Sequence, residues 1–327
     1  MSHTFKLSII LAAALAANNA VASCGSTACS INTNWDEHSA SQPGLTVDLR
    51  ISTSTADTLR SGSNKISADT TNAGEVENLS TVNRMITAVA DYTVDEHWGV
   101  AVNVPYISRT HSHNLGPYDV NGVSAGTETF DAKSLGDIKA VARYRWELNE
   151  NNGVGVKFGV KLNTGRKDFT LNTGVLPTEV TLQPGNGSTD LIVGAFWQNA
   201  EKGAALSWFA QGLWQQSVAN DPLFKPGYQL NIDLGARYAI NRTLSGLLQI
   251  NGQLNGQDAG DNAAADASGV AGSSTGVKII SLTPGVSLAV LPDTNVYALM
   301  QLPIYQFVNG EQLTSNLGLT AGVNHRF

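Results

Sequence analysis

Cysteine, proline and charge are all scarce in this chain. Its 327 residues include 2 cysteines, 10 prolines and 14% charged side chains. Two cysteines without a second pair make a weak zinc pattern. Beyond the N-terminus no run reaches the ~18 apolar residues that a membrane helix needs, which excludes a polytopic helical membrane protein. Lys and Arg number 20 against 27 Asp and Glu, a net charge of −7, and no basic cluster occurs. Nucleic acid is therefore not an expected partner. Glycine-rich phosphate loops, serine nucleophile elbows and His-Glu zinc motifs are missing as well. Beta-branched and aromatic residues are spread along the whole chain, which argues against disorder.

The N-terminus carries an export pattern. Lys6 begins a short basic region, residues 7–17 are an apolar stretch, and Ala20-Val21-Ala22 is a small-x-small cleavage signal. Residues 1–22 read as a signal peptide rather than a buried core helix. Residues 23–43 then form a periplasmic segment, with Trp35 positioned to fold into the mouth of whatever follows. Cys24 and Cys29 sit there, in a chain sent to an oxidising space, where a Cys24–Cys29 disulfide closes a small loop. Val21-Ala22-Ser23-Cys24 also resembles a lipobox, in which Cys24 is acylated. Metal binding by both thiolates with Asp36 and His38 is a third reading.

What is present is alternation, repeated many times. Ile138, Ala140, Ala142, Tyr144, Trp146 and Leu148 share one face, while the residues between them are mostly charged. Val154, Val156, Phe158, Val160 and Leu162 repeat the pattern against Lys157, Lys161 and Asn163. Leu230, Ile232, Leu234 and Tyr238 do so against Asn231, Asp233 and Arg237. Period two means strands with one apolar face. About twelve such segments occur, near 44–54, 82–94, 98–109, 135–148, 153–165, 189–199, 204–216, 227–240, 244–256, 277–290, 295–308 and 314–327, joined alternately by short turns and long polar loops. The expected fold is all-β: a transmembrane, antiparallel up-and-down β-barrel of the Gram-negative outer-membrane type over 44–327. An even strand count puts both ends on the periplasmic side.

Aromatic placement supports the same reading. Trp98, Trp146, Trp197, Trp208 and Trp214 fall on the outward face, grouped with tyrosines near strand ends. Two belts are what amphipathic rings at two interfaces produce. A soluble sandwich has strands of ~5–6 residues and would bury these rings centrally. The last segment ends on Phe327, similar to the terminal signal read by the barrel assembly machinery.

Val104-Pro105-Tyr106, Leu302-Pro303-Ile304-Tyr305 and the Asn324-His325-Arg326-Phe327 end resemble the outer-membrane transporter family associated with meta-pathway phenol degradation. The resemblance implies a channel or uptake porin for aromatic or other small compounds. Pro105 and Pro303 interrupt the ladder and mark bends or a constriction.

The inward register places Arg50, Lys139, Arg143, Arg145, Lys157, Lys161, Arg237 and Arg326 in the lumen against Asp48, Asp91, Asp137, Glu147, Asp190 and Asp233. The segments around 139–161 are richest in bases, and Arg143 or Arg145 falls opposite Lys157. A basic wall favouring anions and a salt-bridge network that fills the barrel are both open. No cofactor and no enzymatic activity are expected. A lipid hydrolase needs a Ser–His pair on the lipid side, and His38, His97, His111, His113 and His325 do not supply one. His111 and His113 are expected in an external loop. A non-transporting structural or adhesin barrel is the alternative to a channel. Acidic loop residues suit hydration and cation bridging to lipopolysaccharide.

Overall fold

In a computed structural model, the described residues are 43–67, 77–118, 124–170, 179–201, 203–261, 263 and 272–327. Residues 1–22, Cys24, Cys29, Trp35 and the rest of 23–42 lie outside them. Thirteen strands form one antiparallel sheet: β1 (Gly44–Gly62), β2 (Asn64–Lys65), β3 (Glu77–Thr93), β4 (Trp98–Tyr118), β5 (Ser124–Leu135), β6 (Lys139–Asn149), β7 (Asn152–Lys161), β8 (Thr189–Ala200), β9 (Leu206–Ala219), β10 (Gln229–Ala239), β11 (Leu244–Asn255), β12 (Val277–Leu291) and β13 (Thr294–Arg326). Eleven of them close into a ring when β13 pairs with β1, while β2 and β5 hang on β1 and β4. β13 is 33 residues long. Its first half pairs with β12 up to Val308, and its second half pairs with β1 from Val308 to Arg326. It therefore crosses the wall twice, bending at Gly310 (φ 56°).

Burial is inverted relative to a water-soluble core. Leu49, Ile51, Trp98, Trp146, Trp208, Leu234 and Tyr238 are exposed, whereas Asp233, Gln249, Asn251, Thr283 and Thr320 are buried. Period-two strands place alternate residues on opposite faces, so one register accounts for both lists. An apolar outer band over a polar interior is the outer-membrane barrel arrangement. Trp98, Tyr144 and Trp146 meet edge to face beside one short turn. The short turns have local causes. Asp95 Oδ1 accepts the N–H groups of His97 and Trp98, and Asn241 Oδ1 accepts those of Thr243 and Leu244.

Several strands outrun their expected limits. β1, β3 and β4 continue through 55–62, 77–81 and 110–118, and β5 forms where a loop was expected. These extensions carry Ser, Thr and Asp on their outer face, so hydrophobic alternation is lost while the backbone ladder persists. His111 is the clearest correction. It lies in β4 rather than in a loop, is 2% exposed, and shares a hydrogen bond with Thr81 Oγ1 (2.9 Å). His113 pairs in the same strand with Asn78. Residues 309–313, expected as a loop, run on within β13.

Candidate functional site

The lumen is the site, and its chemistry is set by the paired strands β6 and β7. Lys139 faces Lys161 and Arg143 faces Lys157 directly across the ladder. Opposed like charges destabilise a strand pair unless something compensates. For Arg143 the compensation is Asp91: Nη1 donates to both carboxylate oxygens at 2.7 and 2.8 Å, and Nη2 donates to Thr93. Its guanidinium lies over Gly99, where a Cβ would come within 2.3 Å. A side chain at position 99 would push Arg143 off Asp91.

Lys161 is the hub of the outer half. Its Nζ donates to Asp137 (2.9 Å), Asn186 (2.7 Å) and both Ser188 O and Oγ, with Asp190 at 3.5 Å. Two parallel amide chains lie below it. Lys139 Nζ donates to Gln215, whose Nε2 donates to Asp190. Lys157 Nζ donates to Gln211, whose Nε2 donates to Asp233. Asp233 also accepts from Asn251. The amides thus carry negative charge toward the lysines without direct contact.

The other expected residues are distributed around this centre. Arg145 pairs with Glu147 at 2.9 Å toward the short-turn rim, with half of the Glu147 side chain exposed. Arg237 donates to Ser245 (3.2 Å), and Arg50 pairs with Asp48, which also accepts from Tyr297. Pro105 lines the lumen cavity. Pro303 lines neither described cavity and sits beside a bulge, because Ile280 pairs with Tyr305 but Ser281 with Pro303. That register slip accommodates the missing N–H of Pro303. Phe327 is 73% exposed, donates its N–H to Leu45 O and meets His325 edge to face.

The feature with no periodic signal is a loop folded into the barrel. Between β7 and β8, residues 179–188 turn inward through a 3-10 turn at Val180–Leu182. Leu182 packs with Ala56, Phe130, Ala132 and Leu313 from three walls. Arg109 donates to Thr181 O, and Lys161 grips Asn186 and Ser188. Gly185 crosses Gly165 so closely that a Cβ would lie 2.3 Å from Gly165 O. The loop separates two cavities that both touch Pro184 and Asn186. One, about 410 Å³, is lined by Arg50, Lys139, Met85, Ile107, Val141 and Leu213 among others. The second, about 200 Å³, reaches Arg109, Phe224 and Asp258 on the long-loop side.

Asp258 lies in the loop after β11, where burial pushes its carboxyl up to about 6, although the Gly227 N–H it accepts acts in the opposite direction. Its raised value means that the packed loop holds a proton more tightly than the loosened one. Packing of 225–227 on 256–260 is therefore firmest below the ordinary carboxylate range and weakens as pH rises through about 6. Amide exchange of Gly227 should accelerate beyond the chemical rate as pH rises from about 4 to about 6 and show no further excess above that, and Asp258→Asn should abolish the excess.

No protein-family model matches the chain, and no curated protein matches it. Among solved structures it is similar to an outer membrane channel from Pseudomonas putida F1, at 12% identity and TM-score 0.61, over 91% of this chain and 100% of that one. The translocator domain of the autotransporter NalP from Neisseria meningitidis aligns at 12% identity and TM-score 0.48, over 89% and 91%. The NanC porin aligns at 8% identity and TM-score 0.46, over 86% and 100%. With its closed wall, apolar band and first of these likenesses, the chain has the fold of an outer-membrane β-barrel.

Proposed function

We propose that this barrel is an outer-membrane channel for small organic anions with an apolar body, such as aromatic carboxylates. The observation that carries the reading is the 410 Å³ cavity within the wall, which sets three bases, Arg50, Lys139 and Lys161, and one carboxylate, Asp137, against an apolar arc that includes Met85, Ile107, Val141 and Leu213. A cation beside apolar surface suits a solute with a charged head and a greasy ring. The meta-pathway resemblance points to the same class. On this reading the chain is exported by residues 1–22, and Phe327 presents the last strand to the assembly machinery.

The ion pairs decide which bases act on a solute. Arg50, Arg143, Arg145 and Lys161 face carboxylates within ion-pair distance. Lys139 donates to an amide and lines the cavity, so it is the residue that sets charge preference. Single-channel recording of the refolded protein under a salt gradient tests this. Discrete steps with an anion-favouring reversal potential are expected, and Lys139→Glu should move that potential to the cation side. Benzoate should reduce the current in the wild type and not in the variant. Absence of steps from protein shown to be folded in the bilayer would defeat the channel reading and leave a structural barrel.

A further inference from the structure

Just above the outer aromatic level, the outer wall carries a row of basic and hydroxyl side chains. Ile51, Ile86, Tyr106 and Leu135 are neighbours across β1, β3, β4 and β5, all exposed on the outer face. The next outward-facing row toward the long loops is Thr53, Arg84, Ser108 and Lys133, paired in that order. The row beyond is Thr55, Val82, Thr110 and Asp131, where Thr110 donates to Asp131. Arg84 and Lys133 are exposed and lie two strands apart, so their Cα atoms are about 10 Å from each other with Ser108 between them. Among the described residues neither makes an ion pair. The other cation on the described outer wall, Lys278, lies over the Phe307 ring.

We infer that Arg84, Lys133 and the Ser108 hydroxyl form a site for a phosphate group on a lipid headgroup of the outer leaflet. The row's level selects that ligand. Apolar side chains and a tyrosine end directly beneath it, which is where acyl chains give way to headgroups. A charge facing lipid is costly at the midplane and nearly free at the interface, so this level is where the wall can hold two adjacent cations within reach of a headgroup. Guanidinium and ammonium groups flanking a hydroxyl supply converging charge-assisted donors for a phosphate oxygen cluster. The ligand committed to is a phosphorylated lipopolysaccharide, not free phosphate.

The site rests on the outer-membrane reading of the barrel, and the test separates the two. The barrel, folded in uncharged detergent micelles, is titrated with bisphosphorylated lipopolysaccharide while its thermal midpoint is followed by heat-dependent gel mobility. A saturable rise is expected for the wild type. Arg84→Gln/Lys133→Gln should weaken the apparent affinity at least roughly tenfold, since each charge-assisted contact is comparable to a tenfold step. Lys278→Gln and the charge-preserving Arg84→Lys/Lys133→Arg should keep it. An equal rise with dephosphorylated lipopolysaccharide, or with inorganic phosphate alone, would overturn the site. So would an unaltered response in the Gln pair, or loss of response in the charge-preserving pair. A barrel that conducts but ignores phosphorylated lipopolysaccharide defeats this inference alone; one that binds it and never conducts defeats the channel alone.

Discussion

Lys161→Met should open the pore. The Lys161 ammonium is the point where the wall, the Asp137 carboxylate and the inward loop at Asn186 and Ser188 are tied together. Removing it takes away the charge-assisted grip on the loop and leaves Asp137 and Asp190 without their counter-ion. Breaking a buried pair from one side costs about 3–5 kcal/mol, and a wet lumen moves the expectation to the low end. That cost falls on the loop. The backbone ladders of β6, β7 and β8 do not depend on it. Single-channel conductance should rise several-fold while the heat-modified gel mobility of the folded barrel persists. Leu182→Ser loosens the same loop from its apolar end and should give the same change by a different route. Unchanged conductance in both variants would show that the loop does not limit flow.

A second large effect is expected at Asp91. The carboxylate is 3% exposed and offsets Arg143, which stands opposite Lys157. Asp91→Leu leaves two cations facing each other across a ladder with one buried counter-charge gone. A loss of about 3–5 kcal/mol of stability follows, read as a lower urea midpoint for unfolding from lipid vesicles. Arg143→Met added to Asp91→Leu should recover most of it, because an apolar pair replaces an ion pair with little net change. Failure of the double variant to recover would mean that Asp91 is needed for something besides Arg143.

Alternation carried most of this barrel because each membrane-crossing residue faces either lipid or lumen, and the two solvents demand opposite side chains. Leu230 to Tyr238 is legible for that reason. The rule stops where lipid stops. At Thr110, Ser112 and Asn114 the outer face carries polar side chains rather than apolar ones, so the strand goes on while its signature vanishes. The lumen charges were legible in position but not in pairing. Nothing local to Lys161 announces that Asn186 and Ser188 fold back onto it, since that contact depends on the glycine crossing at 165 and 185. The amide chains through Gln211 and Gln215 had a trace in sequence, as inward-register glutamines on β9 lying level with the lysines. Cys24 and Cys29 belong to the part outside the described residues.

The seam between β1 and β13 has a consequence for how such a chain comes together. Every other pairing of the wall joins strands close in sequence, skipping at most the short β2 or the β5 excursion, so each can form soon after its residues are available. The pairing of Thr46 with Arg326 joins nearly opposite ends of the chain and must wait for the last strand. Until then β1 presents a long row of unmet amides and carbonyls, from Gly44 to Gly62, to any strand that passes. The slow step is thus circularisation, and its hazard is pairing with another molecule's edge. A chain shortened within its final strand should accumulate as open sheets that stick to one another rather than as smaller pores.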